Sequence, residues 1–181
     1  MLEIEVKILD IDTRAVENRL LELGAQKVFD GKVCTVFYDF PDGRLSREDK
    51  TLRLRTKGSV AEFTFKRKLS TEGAKIAYEQ EVCVSNYETM RTILRRLGFQ
   101  ELSGVEKTRT SYVLGAVHVD IDTLPGIPTF LEVEAPDQST LESIVVLLGF
   151  TMRDAKPWTG KEVRDHYNRQ KPYGPSGTVR E

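Results

Sequence analysis

The chain has 181 residues, of which 39% are hydrophobic and 30% are charged, and its 27 basic and 28 acidic residues leave a net charge of −1. This composition is enough for a packed core, which excludes a disordered chain, and the balanced charge excludes a protein whose whole surface binds nucleic acid. No apolar run approaches the roughly 20 residues of a membrane-spanning helix and the N-terminus lacks a secretory signal, so we expect a cytoplasmic protein that does not bind a membrane.

Three segments have the apolar spacing of amphipathic helices, and each ends at a Leu-Gly pair. They cover residues 12–23, 85–97 and 139–148. The second and third begin with apparent capping boxes, Ser85 with Glu88 and Ser139 with Glu142. A fourth helix, with a polar face, is predicted to start at Thr159.

Between the helices, short segments alternate apolar and polar residues with the period of two that is typical of β-strands. They span residues 3–9, 33–40, 50–57, 60–68, 77–84, 105–114, 116–122 and 129–135. Eight strands with three or four helices predict an α+β fold with an antiparallel sheet. We expect one domain over residues 1–170, followed by a flexible tail at 171–181 that is rich in Gly, Pro and Ser.

The predicted strands have one apolar and one charged face, because residues i and i+2 of a strand point to the same side. The charged positions that share a face in this way are Glu3, Glu5, Lys7, Arg53, Arg55, Lys66, Lys68, Glu79, Glu81, Lys107, Arg109, Asp120, Asp122, Glu132 and Glu134. Like charges two residues apart lie about 7 Å from each other and repel unless something of opposite charge binds between them. The pattern therefore favours a polyvalent ligand.

Two architectures fit these faces. In an open sheet the charged face is turned to water and forms weak cross-strand pairs. In a closed barrel of eight strands the charged faces line a lumen that holds one small ligand. A lumen with basic and acidic groups suits a nucleoside triphosphate or another polyphosphate, bound together with Mg²⁺ or Mn²⁺, because guanidinium and ammonium groups bind phosphate and carboxylates bind hard cations. The strand pattern alone leaves both architectures open.

An ordered series of short motifs runs along the predicted strands. In chain order they are Glu3-Ile4-Glu5-Val6-Lys7, Leu52-Arg53-Leu54-Arg55, Phe63-Thr64-Phe65-Lys66, Glu79-Gln80-Glu81, Lys107-Thr108-Arg109 and Leu131-Glu132-Val133-Glu134. This series resembles the CYTH superfamily, the triphosphate tunnel metalloenzymes that include class IV adenylyl cyclases and thiamine triphosphatases. The resemblance covers residues 1–167, and the order of the motifs makes it far more specific than the first motif alone.

The resemblance implies an eight-stranded antiparallel β-barrel, or tunnel, with helices packed on the outside. It implies triphosphate contacts at Lys7, Arg53, Arg55, Lys66, Lys68, Lys107, Arg109 and Lys161, with catalytic roles for Lys7, Arg55, Lys107 and Arg109. It implies Mg²⁺ or Mn²⁺ ligands among Glu3, Glu5, Glu79, Glu81, Asp120, Asp122, Glu132 and Glu134. Either Asp120 or Asp122 matches the family's aspartate, and Lys161 equally fits a solvated helix charge. After Lys66 this chain has Arg67 and Lys68 where many members have a Gly-Pro turn, which leaves the role of Lys68 open.

Three functions remain open at this point. A class IV adenylyl cyclase, which converts ATP to cyclic AMP and pyrophosphate, is placed slightly ahead of an inorganic or thiamine triphosphatase, and a non-catalytic module that binds polyphosphate or nucleotide is the third. His118 and His166 have no evident nucleophile partner and are expected to be structural or exposed. Cys34 and Cys83 are expected to be reduced thiols. Exposed helices on a barrel also leave a homodimer open.

Overall fold

A computed structural model of the chain describes residues 2–170, so the expected tail at 171–181 lies outside the described residues. The strands are β1 (Leu2–Ile8), β2 (Gln26–Asp39), β3 (Lys50–Lys57), β4 (Val60–Ser70), β5 (Lys75–Val84), β6 (Gln100–Glu101), β7 (Val105–Leu114), β8 (Val117–Thr123), β9 (Phe130–Ala135) and β10 (Ala155–Lys156). The helices are α1 (Thr13–Glu22), α2 (Arg44–Arg47), α3 (Tyr87–Arg96), α4 (Gln138–Leu147) and α5 (Gly160–Gln170). Within residues 2–170 no helix has the length and apolarity that are needed to cross a membrane.

The fold is a closed eight-stranded antiparallel β-barrel with helices around it, as expected. The strands follow the order β1-β5-β4-β3-β2-β7-β8-β9. The ring closes because β1 also pairs with β9, from Ile4 opposite Ala135 to Ile8 opposite Leu131. Two short strands are added at the margin, β6 on β2 and β10 on β1. The open-sheet alternative is therefore wrong, because β1 has a hydrogen-bonded partner on each side.

Two apolar clusters attach helices to the outer wall of the barrel. Helices α1 and α4 cover β1, β8 and β9 through buried residues such as Leu20 and Val145, which join Val6 and Val133 in one cluster. Helix α3 covers β2 and β3 through Leu94, which lies in a second cluster with Tyr38 and Leu54. Burying one such side chain contributes roughly 1.5–3 kcal/mol relative to an exposed one. The alternate positions on the same strands are thereby turned into the lumen.

Helix α5 lies at one end of the barrel. Its buried residues Val163 and Tyr167 pack against Leu124, which follows β8, and against Phe130, which begins β9. The helix begins with a capping box, in which the Thr159 amide donates to the Glu162 carboxylate at 2.7 Å and the Glu162 amide donates to Thr159 Oγ1 at 3.2 Å. The helix is therefore more buried than its polar sequence suggested, and its first turn lines the cavity.

The starts of the other helices correct two expectations. Asp12 caps α1, but Asn86, not Ser85, caps α3 through a 2.8 Å hydrogen bond from the Thr89 amide. Asp137, not Ser139, caps α4 in the same way, accepting from the Thr140 amide at 2.8 Å. Asn and Asp are at least as favourable as Ser at this position, so the nearby Asx residue takes the cap.

The second strand is the main departure from the predicted boundaries. It begins at Gln26 instead of residue 33 and pairs with β7 through an irregularity between Lys27 and Phe29. This irregularity breaks the period-two pattern that would have revealed the longer strand. The short helix α2 was also missed; the Asp39 carboxylate organises it by accepting hydrogen bonds from the Leu45 and Ser46 amides at 2.9 and 3.0 Å.

Candidate active site in the barrel lumen

The charged faces of the strands converge on one cavity of about 940 Å³ inside the barrel. Every residue that the sequence predicted for a triphosphate or metal site lines this cavity. They are Glu3, Glu5, Lys7, Arg53, Arg55, Lys66, Lys68, Glu79, Glu81, Lys107, Arg109, Asp120, Asp122, Glu132, Glu134 and Lys161. The roles assigned to these residues stay predictions, but the residues converge on a single site in the lumen.

One side of the lumen, which we call the β7–β9 wall, carries short and buried ion pairs. The Asp122 carboxylate, which is 0% exposed, accepts from Lys107 Nζ at 2.6 Å and from two nitrogens of Arg109 at 2.6 and 2.7 Å. Arg109 also pairs with Asp120, and at 3.4 Å with Glu132. This wall is a tightly connected network around one guanidinium.

The opposite side, the β3–β5 wall, is more open. Arg53 lies 3.4 and 3.5 Å from the carboxylates of Glu79 and Glu81. Arg55 lies 3.2 Å from Glu81 and also pairs with Glu62. The Glu81 side chain is 31% exposed, so the guanidinium groups of this wall face a part of the cavity that solvent reaches.

Strand β1 lies beside both walls and supplies the first predicted motif. Lys7 Nζ contacts Glu5 at 2.6 Å and Glu132 at 2.9 Å. Lys66 joins Glu3 at 2.6 Å to Glu79 at 2.5 Å. Each of these lysines therefore lies between two carboxylates that come from different strands.

The lumen contains more negative charge near β1 than its lysines neutralise. Burial raises the pKa of Glu3 to about 8 even though Lys66 acts against it. Burial, together with repulsion from Glu132 and Glu5, raises the pKa of Glu134 to about 7. Glu134 stands directly across from Glu5 in the β1–β9 ladder and makes no hydrogen bond or ion pair within the described residues. Lys66 lowers the pKa of Glu134 but forms no ion pair with it, an arrangement that favours a bound cation.

Lys107 holds its proton less tightly than an ordinary lysine does. Its burial and the neighbouring Arg109 guanidinium lower its pKa to about 8, despite the carboxylate of Asp122. Burial and Arg55 likewise lower the pKa of Arg53. A lysine that loses its proton so near neutrality can accept one from a reacting group.

The donor set fits a hard divalent cation. Carboxylate oxygens are the ligands that Mg²⁺ and Mn²⁺ prefer, and Glu3, Glu5 and Glu134 supply them from two neighbouring strands. With the side chains arranged as described for residues 2–170, no three acidic, imidazole or thiol groups are yet gathered as a metal site. Most of the acidic groups are turned toward Lys or Arg, so metal binding requires rotation of at least some of these side chains.

Two predicted phosphate contacts lie at the rim instead of inside. Lys68 pairs with Asp49 at 2.7 Å, and Lys161 pairs with Asp165 at 2.7 Å within α5. The Lys161 side chain is 75% exposed. Both lysines line the cavity, but a ligand would have to reach the rim or draw them inward.

The sequence reasoning missed several charged lumen residues, of which Lys75 and Glu62 form ion pairs with predicted site residues. Lys75 contacts Glu5 at 2.8 Å, and Glu62 pairs with Arg55. Extending the predicted fifth strand by two residues would have found Lys75, whereas Glu62 already lay in the predicted fourth strand, two positions before Thr64 on the same face. His118 is exposed at the cavity margin as expected, and His166 packs between Trp158 and Tyr167 outside the cavity.

Comparison with known proteins connects this lumen to one family. A model of the CYTH domain matches residues 1–147. The protein named "putative adenylate cyclase" in Methanocaldococcus jannaschii is 28% identical over 134 residues, which are 74% of this chain and 77% of that protein.

Solved structures share the fold. The PH1012 protein of Pyrococcus horikoshii superposes with a TM-score of 0.75 at 24% identity, over 89% of this chain and 98% of that one. A "putative adenylate cyclase" from Vibrio parahaemolyticus gives 0.81 at 18% identity, over 91% and 98%. A "putative adenylyl cyclase" from Hippeastrum, described as having a dominant triphosphatase activity, gives 0.62 at 16% identity, over 94% and 96%.

Proposed function

The chain belongs to the CYTH domain family, and from that membership we propose that it is an enzyme that acts on a triphosphate with Mg²⁺ or Mn²⁺. The observation that carries this proposal is the enclosed cavity in which basic side chains of β3, β4 and β7 face carboxylates of β1, β5, β8 and β9. A triphosphate with a divalent cation complements both kinds of charge. An apolar or singly charged ligand would leave most of these groups unsatisfied.

The β3–β5 wall is the proposed surface for phosphate. Arg53 and Arg55 lie 3.2–3.5 Å from the carboxylates of Glu79 and Glu81, although Arg55 also forms a shorter pair with Glu62. The buried Nε of Arg53 has no hydrogen-bond partner in the described residues. Phosphate oxygens would therefore gain a donor that is now unused. Lys66, on β4 within the same wall, would add a further phosphate contact.

Glu134, Glu5 and Glu3 are the proposed metal ligands. Glu134 forms no ion pair within the described residues, and its repulsion with Glu5 is relieved when a divalent cation lies between them. When bound, Mg²⁺ or Mn²⁺ would neutralise the charge that develops on the phosphate oxygens as a P–O bond breaks. The remaining lumen carboxylates would orient the basic side chains.

Adenylyl cyclase is the finer proposal. In that reaction the 3′-hydroxyl of ATP attacks the α-phosphorus and pyrophosphate leaves, and Lys107, with a pKa near 8, would accept the hydroxyl proton. Relatives named as adenylate cyclases from an archaeon and a bacterium support it. Triphosphatase activity, with water attacking the terminal phosphorus, is the second candidate, supported by the activity described for the Hippeastrum protein.

Product analysis separates these reactions. The purified protein is incubated with Mn²⁺ and with ATP, inorganic triphosphate or thiamine triphosphate, and the products are resolved by chromatography. Cyclic AMP with pyrophosphate supports the cyclase, and orthophosphate supports the triphosphatase. Binding without turnover of any of the three would contradict an enzyme and favour a binding module.

A substitution at Glu134 tests the proposed metal ligand. Glu134→Gln keeps the size of the side chain but removes the charge, and we expect it to abolish metal-dependent turnover while the thermal unfolding temperature stays close to that of the wild type. Glu88→Gln on the exposed surface of α3 is the matched control. If Glu134→Gln retains wild-type kinetics over a Mn²⁺ titration, Glu134 is not a metal ligand.

A further inference from the structure

The lumen face of β2 is uncharged, unlike those of the strands beside it. Its residues Val33, Thr35 and Phe37 stand opposite Lys57, Arg55 and Arg53 of β3. On its other side, β2 places Val33 opposite Lys107 of β7. Val33 is buried, and Thr35 and Phe37 line the cavity as a neutral stripe between two basic strands.

The stripe widens into an apolar corner at the α5 end, formed by Phe37, Leu102 and Val105. The Leu102 amide donates to the Phe37 carbonyl at 2.8 Å, which fixes the loop before β7 against β2. A Cβ at Gly104 would come within 3.2 Å of the Thr35 carbonyl oxygen, so glycine permits this close approach. All three corner residues line the cavity, and Leu102 is 45% exposed although it is apolar.

The opposite end of the cavity has different chemistry. It is lined by Lys57, Glu62, His118 and Glu134, with Val28 as its exposed apolar residue. Transfer of a flat, uncharged group from water to the apolar corner is favourable, whereas at the opposite end the same group would lie against ionised side chains. The rim of the α5 end also carries charged side chains such as Lys68 and Lys161, but the contiguous apolar surface lies at the corner, which gives an asymmetric substrate a preferred direction.

We propose that the corner of Phe37, Leu102 and Val105 binds the nucleobase of a nucleoside triphosphate, whose phosphates then extend toward Arg53 and Lys107. This inference rests on the proposed function, because it assigns the organic part of the same substrate. Phe37 stands opposite Arg53 in the β2–β3 ladder, so the long Arg53 side chain can reach the phosphates that follow a base stacked on Phe37. The basic side chains around the corner disfavour a cationic group such as thiamine.

The test compares a substrate that has a base with one that lacks it. The variants are Phe37→Ala and Leu102→Ala, with Leu97→Ala on the exposed end of α3 as the matched control. For each, kcat/KM is measured with ATP, and the affinity for inorganic triphosphate with Mn²⁺ is measured by calorimetry. We expect Phe37→Ala to lower kcat/KM for ATP by about tenfold or more, a typical cost of losing one stacking contact, with little change for inorganic triphosphate.

The outcomes separate this inference from the proposed function. An equal loss for both ligands, or no loss for ATP, would overturn the corner while leaving a triphosphate enzyme intact. A selective loss of ATP activity in Val28→Ala instead would place the base at the opposite end. A wild-type protein that binds neither ligand would overturn the proposed function and the corner together.

Discussion

The two walls of the lumen contain the same kinds of side chain but differ in the burial of their carboxylates and in the lengths of their ion pairs. In the β7–β9 wall, Asp122 is fully buried and holds Lys107 and Arg109 at 2.6–2.7 Å. In the β3–β5 wall, Glu81 is partly exposed and lies 3.2–3.5 Å from its arginines. A buried charge that loses its partner is costly, whereas a solvated one is not. We therefore expect the first wall to be the costlier one to break, and we expect phosphate to replace Glu81 beside Arg53 and Arg55 in the second.

The largest effect is expected from breaking the β7–β9 wall. Asp122→Ala leaves the charges of Lys107 and Arg109 buried beside fewer carboxylates, and we expect a loss of about 3–5 kcal/mol in the free energy of unfolding. Urea denaturation measures it. The control is Asp165→Ala, which breaks the exposed pair with Lys161 and should leave stability almost unchanged. Equal small effects in both variants would remove the distinction between the walls.

A change in the β3–β5 wall should affect activity more than stability. Arg55→Ala removes a guanidinium from the proposed phosphate surface, and we expect kcat/KM to fall by a factor that corresponds to about 2–4 kcal/mol of transition-state stabilisation. Steady-state kinetics on the substrate that the wild type turns over measures it. Arg55→Lys keeps the charge but loses the bidentate contact, and its activity should lie between those of Arg55→Ala and the wild type. Wild-type kinetics in Arg55→Ala would contradict this placement.

The smallest effect is expected outside the barrel, at the partly exposed pair of Arg91 and Glu101. Hydrogen bonds from Arg91 and Arg95 lower the pKa of Glu101 to about 2. Because the folded pKa lies below the unfolded one, the pair stabilises the protein above pH 4–5 and loses this contribution as the pH falls toward 2. Glu101→Gln should therefore lower the urea midpoint slightly at pH 7 and less at pH 3. A constant difference at both pH values would refute the assignment.

The strand alternation predicted the faces of the lumen well because a pleated strand must turn successive side chains to opposite sides. It could not predict closure, since the pairing of β1 with β9 depends on contacts between residues about 130 positions apart, such as Ile4 and Ala135. Lys75 was missed because the predicted fifth strand began at residue 77. Glu62 was missed because the motif on the fourth strand began at Phe63. The irregularity near Phe29 hid the start of β2. Local sequence patterns thus predicted which face of a strand each side chain occupies, whereas the length of each strand depends on its pairing with other strands.

The pairing of β1 with β9 has a consequence for synthesis. During translation the N-terminal strand, with Glu3, Glu5 and Lys7, leaves the ribosome long before β9 exists. Lys66 and Lys75, on β4 and β5, are made soon after β1 and can pair with Glu3 and Glu5 early, whereas the contact of Lys7 with Glu132 has to wait for β9. Such distant contacts slow folding. Emergence of β9 is therefore the event that lets the nascent chain seal its barrel.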